Sequence, residues 1–327
     1  MKQRSLGNTG ELVSAIGLGC MGMTGRYGPA DEAENIGVLN RALDIGLNFW
    51  DTADMYGNGE NEKLLAKVLS SRREEVFLAT KFAFRPDGSG KMGVDGSPAY
   101  ARQAIDASLR RLKVEYVDLY YAHRVDPGVP VEETVGAMGE LVKAGKVRYV
   151  GICEAAAENI RRAHGEYPLA AVQSEYSLLT RGPEESIIPT CLQLGIAFVP
   201  YSPLSRGLVT AAMPEPETMA ADDFRRSLPR FKGENLERNK KLVEEFAALA
   251  SSLGCSPAQL ALAWVLHQGE TLLPIPGTKR LKYLEENAAS VDIVLEKETL
   301  ARIQALLSAH PTAGPRYDPG NLDLVDR

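Results

Sequence analysis

Short, nearly continuous apolar runs recur along this chain, and each is followed by a stretch with helical periodicity. The runs fall at 13–18, 47–50, 76–80, 117–122, 147–152, 170–173, 196–199 and 272–275. The helical stretches fall at 31–45, 61–70, 98–113, 133–144, 155–165, 184–194, 256–267 and 280–290, the last two opening after Ser256 and Thr278 as caps. Strands that are apolar along their length suit a parallel sheet covered on both faces, whereas half-exposed antiparallel strands would alternate. A doubly wound sheet and a closed barrel both meet this description. Eight units without a break in composition favour the barrel, so the expected architecture is α/β, a single (β/α)8 TIM barrel domain over residues 1–327.

Other segments fall outside the repeat. The turn signal Gly7, Asn8, Thr9, Gly10, flanked by short apolar runs, predicts an N-terminal β-hairpin. Residues 83–98, rich in Gly, Pro and Asp, read as a long loop after the third strand, and 204–235 as a second long loop after the seventh. An extra helix near 236–252, another near 297–308 and an irregular tail over 310–327 complete the chain. Long loops that follow barrel strands lie on the face where such barrels carry their chemistry, so these loops are expected to set selectivity.

Composition excludes several classes of function. The 37 basic and 43 acidic residues give a net charge of −6, and no basic run or basic-aromatic stripe is present, which argues against nucleic acid as a partner. No run reaches the ~18 apolar residues of a membrane span and the first ten residues lack a signal-like stretch, so no membrane partner is expected and the cytoplasm is the expected location. Cys20, Cys153, Cys191 and Cys255 lie far apart without CxxC spacing, and the four histidines lack HxxxH spacing, so neither a disulfide framework nor a metal site is expected.

Gly17, Gly19 and Gly22 form a GxGxxG pattern after the first run, the fingerprint of a dinucleotide fold. That fingerprint requires a helix opening at its third glycine, with the helix dipole facing a pyrophosphate. Here the chain continues through Met23, Thr24, Gly25, Arg26, Tyr27, Gly28 and Pro29, which does not favour a helix start. The glycines are therefore read as a close-packed first strand-to-helix loop.

A stronger signal lies at the strand ends. Asp51, Lys81 and His123 close the second, third and fourth runs, and Tyr56 follows Asp51 by five residues on the second loop. On one barrel rim these would share a pocket. Singly, each has an ordinary structural explanation: a rim ion pair, a loop tyrosine, a satisfied core histidine. Together they fit one task. Reducing a carbonyl requires a proton delivered to oxygen as hydride reaches carbon, and a free tyrosine with a pKa of ~10 yields its proton reluctantly. An ammonium beside the phenol is expected to lower that pKa, and Asp51 to keep Lys81 charged and in place. A histidine N–H could hold the carbonyl oxygen and stabilise its developing charge.

The motifs GLNFWDTADMYGNGENE at 46–62, ATKF at 79–82, LRRL at 109–112 and VDLYYAHRVDP at 117–127 resemble the aldo-keto reductase family, and so do GKVRYVG at 145–151, VQSEYS at 172–177, YSPLSRG at 201–207, IPGTKR at 275–280 and EEN at 285–287. The likeness runs in order to about residue 290. It implies a (β/α)8 barrel with an N-terminal β-hairpin closing the base, NADPH/NADP+ across the strand ends, and a small-molecule carbonyl or alcohol substrate. It also implies a catalytic tetrad of Asp51, Tyr56, Lys81 and His123, with Tyr56 exchanging the proton. By the same matching, Cys153 and Gln173 would hold the nicotinamide carboxamide, Tyr201 would stack on its ring, and Met21 and Gly22 would border the ribose. Ser202, Leu204 and Arg206 would line the pyrophosphate. Gly277, Thr278, Lys279 and Arg280 would hold the 2′-phosphate, with Glu286 and Asn287 near the adenine.

Cys153 departs from the family, which usually has serine there, and a thiol is a weak donor. Glu154 replaces an asparagine, as in the branch this chain most resembles. Tyr27, Phe84 and Tyr317 are expected to shape the substrate pocket. Two other readings stay open. A Schiff-base lyase could use Lys81, although the adjacent Asp51 would keep that lysine protonated. A regulatory barrel could bind NADPH while turning over slowly.

Overall fold

The computed structural model describes residues 1–86 and 92–326, and in it the alternation wraps into a cylinder of parallel strands ringed by helices. The chain opens with β1 (Gln3–Ser5) and β2 (Leu12–Ser14), paired antiparallel around a tight turn at Gly7–Thr9. This hairpin sits across the barrel base. Asn8 N donates to Gly195 O at 2.7 Å, and the Arg4 guanidinium donates to the carbonyls of Leu266, Gly269 and Leu272 at 2.7–2.9 Å. Gly7 has φ +55°, and a Cβ there would lie 2.4 Å from Gly195 O, so only glycine fits the contact.

Then follow β3 (Leu18–Gly19), α1 (Glu32–Asp44), β4 (Phe49–Asp51), α2 (Glu60–Arg72), β5 (Phe77–Phe82), β6 (Phe84–Pro86), β7 (Met92–Val94) and α3 (Pro98–Leu112). The chain continues through β8 (Val117–Ala122), α4 (Val131–Lys143), β9 (Val147–Cys153), α5 (Ala157–Glu166), β10 (Leu169–Glu175), α6 (Ile187–Leu194) and β11 (Ala197–Tyr201). It ends with α7 (Gly233–Ser252), α8 (Pro257–His267), α9 (Leu281–Ala289), α10 (Lys297–Ala309) and α11 (Pro319–Leu322). Seven strands lie side by side in the order β3-β4-β5-β8-β9-β10-β11, all parallel. Leu119, Tyr121, Cys153, Val199 and Leu273 fill the cylinder with Phe49 and Phe77, and the hairpin's Leu6 and Val13 join them from below.

The eighth strand, expected at 272–275, closes the cylinder without forming a full ladder. Leu273 N and Ile275 N donate to Phe198 O and Pro200 O at 2.9 and 3.0 Å, while Gly17 N and Gly19 N donate to Pro274 O and Pro276 O at 2.9 and 3.3 Å. Both prolines face β3 and lack an N–H, so that seam carries bonds in one direction only. The glycines of the GxGxxG pattern serve this seam: a Cβ on Gly19 would stand 2.8 Å from Ile275 O. No α-helix opens at Gly22, since α1 begins at Glu32, capped by Asp31.

Several boundaries differ from the sequence reading. The run 13–18 is split, because Ser14 and Asn48 exchange side-chain and backbone hydrogen bonds at 2.8 and 3.1 Å and so interrupt the ladder below Leu18. The loop expected at 83–98 contains the antiparallel pair β6–β7, with Phe84 opposite Val94; its middle, 87–91, lies outside the described residues. The loop at 204–235 is built from short 3-10 turns, beginning with Ser205–Thr210. In the tail expected to be irregular, Asp318 caps one helical turn, accepting from Asn321 N at 3.1 Å. Ser256 and Gln259 form a complete capping box on α8, but Thr278 does not cap α9: it precedes Arg280, the residue at the cap. Among the described residues no single helix is long and apolar enough to cross a membrane.

The close seam yields a direct test. Gly19→Ala should cost about 1–3 kcal/mol, the usual range for forcing atoms into packed space. Gly37→Ala on α1, where an added Cβ meets nothing within 4 Å, should gain up to about 1 kcal/mol from helix propensity. Urea midpoints of the two variants should therefore move in opposite directions.

Candidate active site

Asp51 ends β4, Lys81 lies in the last turn of β5, and His123 follows β8; these strands are neighbours, so the three side chains meet at one rim. Tyr56 joins them because the chain reverses after it through left-handed Gly57, Asn58 and Gly59, with φ of 57°, 53° and 87°. Lys81 is fully buried and uses all three of its protons. It donates to Asp51 Oδ1 at 2.5 Å, Thr52 O at 2.8 Å and the Tyr56 hydroxyl at 3.2 Å. Burial opposes the ammonium charge, but Asp51 first, and then Tyr56 and Cys153, hold its pKa above the usual lysine value.

The phenol departs from expectation. Burial pushes the Tyr56 pKa up to about 12, outweighing the opposite pull of the Lys81 charge and its hydrogen bond. Tyr56 is thus a protonated donor across the physiological range, and Lys81 limits the rise rather than producing a net fall. His123 meets the Tyr56 ring edge-on with centroids 5.9 Å apart, and Phe84 at 4.9 Å on another side. Burial, then Lys81 and Arg124, hold its pKa well below the ordinary imidazole value, so the ring is neutral. Its Nδ1 is buried without a hydrogen-bond partner among the described residues.

The residues matched to the cofactor lie around the same mouth, with several engaged otherwise than expected. Gln173 donates its amide to Asp51 Oδ2 at 2.8 Å, fixing the carboxylate from the side opposite Lys81. Cys153 ends β9 inside the cylinder, and burial pushes its thiol pKa up, so it is neutral and a poor donor. The Tyr201 hydroxyl lies 3.0 Å from that of Tyr317 in the tail. Met21 and Gly22 open the turn Met21–Thr24, with the Tyr27 ring 3.5 Å from where a Gly22 Cβ would stand. Ser202 and Leu204 lead into a turn in which Ser202, Ser205 and Arg206 are all left-handed, with φ of 49–59°. The Arg206 guanidinium is committed to Glu175 at 2.8 Å and the Tyr27 hydroxyl at 3.2 Å.

At the seam end, Gly277 pairs with Gly19 and is followed by Thr278. Lys279 and Arg280, expected to hold the 2′-phosphate, have partners within the chain. Lys279 Nζ donates to the carbonyls of Tyr27, Gly28 and Pro29 at 2.9, 3.1 and 2.5 Å, and Arg280 pairs with Glu34 of α1. Glu286 and Asn287 lie on α9, the latter buried.

The sequence reading missed three contributors. Glu154 adopts φ +53°, where asparagine is the easier residue, and buries its carboxylate against Arg316 of the tail at 2.9 Å. Arg316 also donates to the Tyr201 hydroxyl at 3.3 Å, so the tail forms part of the wall. Arg124, beside His123, is buried at the same mouth. None of these follows from spacing, because the tail reaches the rim only through the fold.

Behind the tetrad, Asp54 N donates to Lys81 O at 3.1 Å, while its Oδ1 is buried with no hydrogen-bond partner among the described residues. Burial, and then the charge of Glu62, raise its pKa from 3.8 to about 7. The folded state therefore holds a proton that the unfolded chain releases near 3.8, and this contribution to stability is lost as pH rises from about 4 to about 7. Asp54→Asn removes the dependence. Melting temperatures should show the variant gaining on the parent across that window and holding a constant lead above it; parallel curves would refute the raised pKa.

Comparisons with known proteins agree with the geometry. The sequence pattern of the Aldo/keto reductase family matches residues 15–308. A probable aldo-keto reductase 1 from Glycine max is 46% identical over 317 residues, 96% of this chain and 91% of that protein. The aldo-keto reductase yakc [NADP(+)] from Schizosaccharomyces pombe is 42% identical over 323 residues, 97% and 94% of the two chains. Among solved structures, the glycerol dehydrogenase AKR11B4 from Gluconobacter oxydans superposes with a TM-score of 0.85 at 28% identity, covering 97% of this chain and 98% of that one. The thermostable aldo-keto reductase Tm1743, solved with the inhibitor epalrestat, gives a TM-score of 0.72 at 29% identity, covering 94% and 100%. With the pattern spanning nearly the whole barrel and two relatives above 40% identity, this chain belongs to the aldo/keto reductase family.

Proposed function

We propose that this chain, as one barrel domain, is an NADPH-dependent oxidoreductase that reduces the carbonyl of a small aldehyde or ketone to an alcohol, or runs the reverse reaction, in the cytoplasm. The observation that carries the reading is the buried Lys81 bridging Asp51 and the Tyr56 hydroxyl beside a neutral His123. NADPH, when bound, supplies the hydride that reaches the carbonyl carbon. The chain does the rest. Tyr56 hands its proton to the carbonyl oxygen as that oxygen becomes an alkoxide, and the Lys81 charge stabilises the phenolate left behind. The neutral imidazole donates an N–H to the same oxygen and orients it. Asp51, held by Lys81 and Gln173, fixes the ammonium without touching the substrate.

The residues present fit a dinucleotide. Ser202, Ser205, Arg206 and Gly207 have left-handed φ, a backbone that can turn successive N–H groups towards an anion, and the hydrogen-bond partners of the Lys279 ammonium among the described residues are neutral carbonyls. The yeast relative's printed name specifies NADP(+), which agrees with a 2′-phosphate at Lys279 and Arg280. The Schiff-base alternative is disfavoured, because an imine-forming lysine must lose its proton and Lys81 is held the other way.

Turnover of NADPH with a panel of aldehydes, followed at the nicotinamide absorbance, tests the reading; a protein that binds NADPH without turning over would be the regulatory alternative. Tyr56→Phe should bind NADPH normally and lose roughly 10²–10⁴-fold in kcat, the range for a lost general acid. Reduction by the parent should be level from pH 7 to 9, since Tyr56 titrates near 12 and His123 far below neutrality. An inflection inside that range would assign the proton to another group.

Cofactor choice has its own test. Lys279→Ala with Arg280→Ala should weaken NADPH by roughly tenfold or more and NADH little, after discounting charge-assisted bonds for exposure. Glu34 competes for Arg280, so Glu34→Gln should tighten NADPH. Equal affinities of the parent for NADPH and NADH in fluorescence titrations would remove the assignment.

A further inference from the structure

The mouth of the barrel carries more buried positive charge than it balances. Lys81 is paired with Asp51, Arg316 with Glu154, and Arg206 and Arg230 share Glu175 at 2.8 and 3.6 Å. Arg124 is left over. It is 8% exposed, and its one hydrogen bond among the described residues runs from Nη1 to the carbonyl of its own neighbour His123 at 2.7 Å. Its Nε is buried with no acceptor among the described residues. A guanidinium offers five N–H donors in a rigid fork, and leaving such a group buried and unpaired is costly unless a ligand completes it.

Its surroundings place it on the substrate side. The Phe84 ring lies 4.9 Å from the His123 ring, which it meets edge-on, and 5.2 Å from the Arg124 guanidinium carbon, so one aromatic ring adjoins both groups. The other ionisable groups around it are Tyr201, Tyr317, Cys153 and Glu154, and the Glu154 carboxylate is already paired with Arg316. Because both groups lie against Phe84, the imidazole and the guanidinium are within about 10 Å of each other, the span of a small ligand.

We infer that Arg124 selects the substrate by pairing with a carboxylate a few bonds from the carbonyl that His123 holds, which makes oxo acids, or the matching hydroxy acids, the preferred substrate class. A carboxylate gives the one buried cation at the mouth that has no ion-pair partner among the described residues a planar partner for its fork. A phosphate dianion would bring a second negative charge near the buried Glu154. The inference rests on the reductase reading above and adds to it the chemistry of the substrate. Arg124 takes no part in the proton or hydride transfer.

The test compares 2-, 3- and 4-carboxybenzaldehyde with their methyl esters, using the purified full chain and NADPH. The parent should prefer at least one acid over its ester by about tenfold or more in kcat/KM, the factor expected of a charge-assisted bond, mainly through KM. In Arg124→Met the acid-to-ester ratio should fall towards one, and Arg124→Lys should restore part of it. A purely structural role would lower both substrates together and leave the ratio intact, which would overturn the inference, as would a parent with no acid preference. If Arg124→Met does not fold, the same ratio in Arg124→Lys decides, because the weaker single-point contact should reduce it. Calorimetric titration of the NADP+-loaded protein with benzoate reads the site without turnover. Benzoate should bind the parent at least about tenfold more tightly than Arg124→Lys, and inorganic phosphate should not compete. Equal benzoate binding, or displacement by phosphate, would overturn the carboxylate site. Absence of turnover with every aldehyde, alongside Arg124-dependent benzoate binding, would instead count against the reductase reading.

Discussion

An ammonium and a carboxylate removed from water at the centre of the rim form the constraint around which the rest is arranged. Lys81 and Asp51 are each at most 3% exposed in their side chains, and desolvating them is expensive. The cost is tolerable because every donor and acceptor is used: Lys81 reaches Asp51, Thr52 and Tyr56, and the second oxygen of Asp51 takes Gln173 from β10. Groups from β4, β5, the following loop and β10 must therefore lie within hydrogen-bond reach at once, which a closed cylinder provides and an open sheet does not. Removal of either partner would strand a buried charge. The barrel's geometry and the phenol's environment are thus set by one pair.

The same logic extends outward. Glu154 and Glu175 are further buried carboxylates at strand ends, and each is answered from a distant part of the chain: Arg316 in the tail, Arg206 and Arg230 in the long loop after β11. These pairs bring the loop and tail against the strand ends, where the Arg206 guanidinium lies 5.4 and 5.0 Å from the rings of Phe224 and Tyr317, which meet each other at 6.5 Å. Segments with little regular structure of their own are ordered by charges that the barrel already buries.

Much of this was legible in the sequence. Runs of apolar residues marked the strands, and polar residues at their ends marked the rim, because a barrel strand has apolar neighbours on both faces until it leaves the cylinder. The misread places share a cause. Ser14 and Asn48, Pro274 and Pro276, and the β6–β7 pair all depend on which partner a backbone group finds across space, which periodicity does not encode. The tetrad was readable as four residues, but not the balance at Tyr56. A neighbouring ammonium is visible in a motif; the depth of burial that outweighs it is a property of the packed mouth. Arg124 illustrates the same limit, since its neighbours in space are Phe84, Tyr201 and Tyr317, none of them near in sequence.

The opening of the barrel is also spanned by contacts between loops. Phe224 N donates to Arg26 O at 2.9 Å, the Arg26 guanidinium lies 5.5 Å from the Phe224 ring, and Lys279 gathers three carbonyls from residues 27–29. These links join the loops after β3, after β11 and after the closing seam, and they lie over the residues matched to the pyrophosphate and 2′-phosphate. The Phe224–Arg26 bond is neutral and worth about 0.5–1.5 kcal/mol net, whereas the bonds from the Lys279 ammonium are charge-assisted and worth about 1.5–3 kcal/mol each before discounting for exposure. A dinucleotide that offered Lys279 a phosphate in place of carbonyls would exchange neutral partners for a charged one. The clasp thus orders the loops through one cation, and an anion that took that cation over would have to outweigh three carbonyls, while the Lys81–Asp51 pair lies apart from it at the strand ends.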